Sequence, residues 1–99
     1  MQKQFQIGFI GLGLIGGSIA KSIRRIFPNT DILGFDVDQH ALQTALEEHT
    51  LSKTVTSIEA MADCNYIFLC APVHYNIAYL PILKRVIHKD CILTDVGSV

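Results

Sequence analysis

Ninety-nine residues suffice for one domain and are too few for two, and a composition 49% apolar and 17% charged suits a sheet covered on both faces by helices rather than a disordered chain. The formal charge of -1, from eight basic and nine acidic side chains, gives no electrostatic reason to expect nucleic acid or an anionic membrane as partner. The sequence holds neither a run of 18 apolar residues nor a basic leader with a cleavage site, so a cytoplasmic chain without membrane span or signal peptide is expected.

After a polar lead-in, Phe5 to Ile10 reads as a buried strand that runs into the glycines Gly11, Gly13 and Gly16, spaced G-x-G-x-x-G. Each glycine has its own steric duty. Gly11 turns the chain off the strand, Gly13 removes a Cβ where a pyrophosphate would approach, and Gly16 lets a helix lie close to the sheet. That helix is expected over Leu14 to Ile26, because Ile15, Ile19, Ile23 and Ile26 recur at three- and four-residue spacing. Its unpaired N–H groups would face phosphate charge. The loop holds no lysine, which argues against a nucleoside-triphosphate loop. Lys21, Arg24 and Arg25 read as solvated cations at the helix's negative end.

Pro28, Asn29 and Thr30 turn the chain into a second strand, Asp31 to Phe35, which ends at Asp36, 20 residues after Gly16. A carboxylate there is placed to accept both ribose hydroxyls of the adenosine half of NAD and to repel the extra phosphate of NADP. Gly11, Leu12, Gly13, Leu14, Ile15, Gly16 and Asp36 are therefore candidate cofactor-binding residues, with NAD the cofactor. Asp38 reads as the N-cap of a helix Gln39 to Glu48 with Ala41, Leu42, Ala45 and Leu46 on its core side. His40 and His49, near its ends, read as surface residues.

Lys53 to Thr56 reads as a short strand, and Ser57 as the cap of a brief helix through Ala62. The apolar run Asn65 to Ala71 is a clearer strand, closed by Pro72. Ala71, Pro72 and Val73 then stand at the carboxyl edge, where open α/β sheets bind ligands, and are expected to wall the cofactor site. His74 stands where an acid–base residue or a residue at the periphery of the cofactor site could lie, but it also stands at the start of the helix Tyr75 to Ile87, the reading preferred here. Pro81 is expected to bend or break that helix near Leu80. Cys91 to Thr94 is the fifth strand, and Asp95 to Val99 a loop that brings Gly97 to the cofactor. Cys64, Cys70 and Cys91 lack C-x-x-C spacing and read as reduced, mostly buried thiols. No histidine pair has metal-ligand spacing, so no metal is expected.

These elements predict a Rossmann-type doubly wound parallel sheet, strand order 3-2-1-4-5, truncated after strand 5, with a crevice between strands 1 and 4. GLGLIGGS at Gly11 to Ser18, GFDVD at Gly34 to Asp38, FLCAPV at Phe68 to Val73 and TDVGSV at Thr94 to Val99 resemble the amino-terminal part of the prephenate dehydrogenase family across essentially the whole chain. That resemblance implies NAD-dependent oxidative decarboxylation of prephenate, or of arogenate in some relatives, in tyrosine biosynthesis. It implies that Ser98 helps to hold the substrate hydroxyl and the catalytic histidine. That histidine is expected beyond Val99, along with a helical domain that supplies substrate-binding arginines and homodimer contacts. Residues 1–99 are thus expected to form an incomplete dinucleotide-binding domain, inactive alone. Another hydroxyacid or imine dehydrogenase, or a non-catalytic NAD-binding or redox-sensing module, are the alternatives.

Overall fold

The computed structural model describes residues 5–96. Its five strands are β1 (Gln6–Ile10), β2 (Asp31–Phe35), β3 (Lys53–Thr54), β4 (Tyr66–Leu69) and β5 (Ile92–Asp95). All pairings are parallel, in the order β3-β2-β1-β4-β5, so the predicted topology is observed. Three helices connect them, α1 (Leu14–Ile26), α2 (Gln39–Glu47) and α3 (Val73–Val86), with a single 3₁₀ turn at Ile58–Met61.

The two-residue period of the strands divides the core between the two sheet faces. Ile7, Phe9 and Ile32 pack on one face with Ala20 of α1 and Leu42 of α2. Ile10, Leu33, Ile67 and Leu69 pack on the other with Met61 and Leu83 of α3. On the first face Phe9 stacks on Phe68 with ring centroids 4.9 Å apart, and Phe68 on Tyr66 at 4.7 Å. Burial pushes the Cys64 thiol up to about 12, so it packs as a neutral side chain against Met61.

Several local readings need correction. Arg24 is not a solvated cation: it is half-buried and clamps the loop after α1 to the loop after α2. Its Nη1 donates to the carbonyls of Pro28 at 2.8 Å and Thr30 at 2.7 Å, and its Nη2 to Ser52 Oγ at 3.1 Å. Pro81 does not break α3, which runs unbroken to Val86. Pro81 lies on the exposed side with Ile77, where a carbonyl that loses its helical N–H partner can bond to water instead. Ser57 makes no side-chain capping bond. The fifth strand is shifted one residue onward, which takes Asp95 out of the loop and into β5.

His49 is more than a surface residue. It stands at φ 61, and its N–H donates to Leu46 O while Thr50 N–H donates to Ala45 O. These two bonds close α2 with a Schellman motif, whose left-handed position favours glycine. His49→Gly is therefore expected to stabilise the chain by about 0.5–1 kcal/mol. A urea midpoint that stays put or falls would refute this.

Candidate nucleotide site

The site is assembled where the sheet order reverses. β1 and β4 are neighbours, but the chain leaves β1 toward β2 and returns to β4 only after β3, which opens a crevice at their carboxyl ends. A cleft of about 520 Å³ lies there. Its floor is Gly11, Gly13, Leu14 and Ile15; Asp36, Val37 and Asp38 form one wall, and Ala71, Pro72, Tyr75 and Tyr79 the other.

Gly11 leaves β1 at φ 91, and its N–H donates to Phe35 O at 2.8 Å, tying the turn to the end of β2. A Cβ on Gly11 would lie 2.5 Å from the backbone nitrogen of Ala71, and one on Gly16 would lie 2.5 Å from Gly11 O. Both glycines are thus required by close backbone packing between the turn, α1 and β4. Gly13 differs: a Cβ there would meet nothing within 4 Å, because it faces the open cleft.

Asp36 is fixed before any ligand arrives. Its Oδ2 accepts from Leu12 N–H at 2.8 Å and its Oδ1 from Asp38 N–H at 2.9 Å. Each oxygen keeps a further lone pair for an incoming hydroxyl. Leu12 itself is buried and contributes its N–H to this bond rather than a surface to the cleft.

The beginnings of α1 and α2 differ in charge. α1 has no side-chain cap and no acidic residue in its first turn, so its leading N–H groups open toward the cleft without an anion of their own. α2 is capped by Asp38, whose Oδ1 accepts from His40 N–H at 3.0 Å and Ala41 N–H at 3.2 Å.

Among the candidate residues, Gly11, Gly13, Leu14, Ile15, Asp36, Ala71 and Pro72 converge on the cleft. Leu12 and Gly16 lie beneath it. Val73 is the exposed first residue of α3 and does not line it, and Gly97 and Ser98 fall outside the described residues. His74 follows Val73 and does not itself line the cleft, but its ring lies 4.4 Å from that of the lining residue Tyr75.

Sequence reasoning missed the aromatic wall. Tyr75 and Tyr79 stack at 6.2 Å, and Tyr79 meets Phe35 edge-on at 5.7 Å. Their spacing of four residues directly after Pro72 is the signal that would have put both on one helix face at the cleft. Burial, then Tyr75 and Asp36, hold the Tyr79 hydroxyl above its ordinary pKa, so it stays a neutral donor. Cys70 also borders the cleft, and burial followed by the Asp95 charge pushes it up to about 11. Both effects hold it as a neutral thiol.

A parallel sheet of this order, a glycine turn into an uncapped helix, and a carboxylate at the end of β2 define a Rossmann-type nucleotide-binding domain. The family model described as prephenate dehydrogenase, nucleotide-binding domain, matches residues 19–99. The chain belongs to that family. It is 32% identical to the prephenate dehydrogenase of Bacillus subtilis (strain 168), over 98% of this chain and 27% of the relative. The crystal structure of prephenate dehydrogenase from A. aeolicus in complex with hydroxyphenyl propionate and NAD+ superposes with a TM-score of 0.85 at 28% identity, covering 100% of this chain and 35% of that one. The arogenate dehydrogenase of Synechocystis superposes with a TM-score of 0.83 at 30% identity, over 96% of this chain and 34% of the other. The chain thus spans roughly a quarter to a third of the length of these relatives.

Proposed function

We infer that the chain is the NAD-binding part of an oxidoreductase that oxidatively decarboxylates prephenate to 4-hydroxyphenylpyruvate. The observation that carries the reading is the pairing of an uncapped α1 with the Asp36 carboxylate held 2.8 Å from the Leu12 N–H, both at one cleft. The first suits a pyrophosphate and the second a diol. The relatives named prephenate dehydrogenase, and the A. aeolicus structure that contains NAD+, point the same way.

On this reading the residues divide the work of binding. The backbone of Gly13, Leu14 and Ile15 receives the pyrophosphate, with the missing Cβ of Gly13 leaving the room it needs. Asp36 receives the adenosine ribose, and the Leu12 and Asp38 N–H groups keep its carboxylate from turning away. Tyr75 and Tyr79 face Val37 across the outer part of the cleft and supply flat apolar surface for a base. Ala71 and Pro72 border the other end, with Gly97 beyond them in the sequence. Bound NAD would supply the hydride acceptor. On the same reading the substrate is handled outside residues 5–96, and the resemblance to the family motif supports Ser98 as the residue of this chain that holds the substrate hydroxyl.

Titration calorimetry with NAD and NADP tests the cofactor assignment. NAD is expected to bind at least about tenfold more tightly, since a 2′-phosphate would meet the Asp36 carboxylate. Equal or tighter binding of NADP would overturn the assignment.

A further inference from the structure

We propose that Asp38 is a second determinant of cofactor choice, acting with Asp36 to close a latent 2′-phosphate site between α1 and α2. The inference rests on the NAD reading above and deepens it, because it concerns the substituent on the same ribose.

The contrast between the two helix starts carries the argument. A 2′-phosphate would enter beside Asp36, since that carboxylate is the group placed to accept the ribose 2′-hydroxyl. The start of α2 adjoins it, because Asp38, the N-cap of that helix, donates its N–H to Asp36 Oδ1 at 2.9 Å. A helix start with free N–H groups would attract the phosphate, as that of α1 is left to do. Here two of the leading donors, His40 N–H and Ala41 N–H, are already taken by the Asp38 carboxylate. Asp38 therefore both occupies two donors a phosphate would use and adds a second negative charge next to the first.

Beyond Asp38 the ground offers an anion one cation, Lys21, which Glu48 partly neutralises. Asp38 also borders a second groove, of about 730 Å³, that runs between α1 and α2 and is lined by Ser18, Lys21, His40 and Thr44. Of the acids in that groove, Glu48 lies at its far end, 3.6 Å from Lys21. Asp38 is the carboxylate that stands where this groove meets the main cleft, since it lines both. Removing Asp36 alone thus leaves the entrance guarded.

The test compares NAD and NADP binding to the 99-residue chain as wild type, Asp36→Ser, and Asp36→Ser with Asp38→Asn. Asparagine keeps an oxygen for the His40 and Ala41 N–H groups, so the cap of α2 survives while its charge is removed. Adding Asp38→Asn to Asp36→Ser is expected to tighten NADP at least about tenfold and to change NAD by less than about threefold. Equal NADP affinity in the single and double variants, with NAD still bound by the wild type, overturns the role of Asp38 and leaves the NAD reading standing. A wild-type chain that binds neither dinucleotide overturns both. Should the Asp36 variants fail to fold, Asp38→Asn alone must raise the ratio of NADP to NAD affinity, and an unchanged ratio is equally fatal to the proposal.

Discussion

Gly11→Ala is expected to destabilise the chain by about 3 kcal/mol, the sum of a disallowed backbone angle and a clash that no side chain can relieve. Gly11 sits at φ 91, where alanine is strained even in open space. The space is not open. The new methyl would lie 2.5 Å from Ala71 N, 2.7 Å from Ala71 Cα and 2.8 Å from the carbonyl carbon of Cys70. All three are backbone atoms at the end of β4, so relief requires β1 and β4 to separate. That would break the Cys70 N–H bond to Ile10 O at 2.8 Å, which closes the pairing of these central strands. A loss of about 3 kcal/mol is a large share of the ~5–15 kcal/mol that stabilises an ordinary domain. It should lower the urea midpoint by roughly 2 M. A midpoint within about 0.3 M of wild type would show that the turn relaxes in a way this packing does not allow.

The same geometry explains which parts of the molecule could be read from sequence. α1 was legible to the residue because a glycine turn fixes its start and apolar residues at helical spacing mark a helix. Ile15 and Ile26 of that series are exposed, however, and only Ile19 and Ile23 pack on the core beside the buried Gly16 and Ala20. β2 was legible because an apolar run ends at a lone carboxylate, and the sheet order followed from the alternation of strands and helices. Arg24 was not, because three of its acceptors are backbone carbonyls, at Pro28, Thr30 and Thr50, beside the Ser52 hydroxyl, and a carbonyl leaves no mark in a sequence. His49 was hidden for a related reason: the left-handed position ending α2 is held by a residue that does not advertise it. Tyr75 and Tyr79 were passed over because an aromatic pair four residues apart on a helix reads equally as core or as ligand surface. The position of Asp36 at the end of β2 was legible, but its bond to Leu12 N–H was not, since only the folded turn brings the two together. What pattern conveys is periodicity and punctuation; what it omits is which backbone groups are left for side chains to satisfy.

Gly13→Ala is the counterpart of the Gly11 variant and should separate binding from folding. A Cβ at Gly13 would have no heavy atom within 4 Å, and the residue's φ of -39 lies on the ordinary negative side. Alanine is a poorer helix N-cap than glycine by a few tenths of a kcal/mol to about 1 kcal/mol, but it restricts the unfolded chain by a similar amount. The urea midpoint should therefore move by less than about 0.5 M. Binding is another matter, because the methyl stands over the leading N–H groups of α1, which have no side-chain cap and no acidic neighbour. Pushing a pyrophosphate off those donors loses one or two charge-assisted hydrogen bonds, about 1.5–3 kcal/mol each at close range. NAD affinity should fall by about a hundredfold, roughly 2.7 kcal/mol. Gly11→Ala would lower both quantities together, whereas Gly13→Ala would lower only the second. If alanine at residue 13 left NAD affinity within about threefold of wild type, the pyrophosphate could not lie against the start of α1, and the nucleotide would have to cross the cleft by another route.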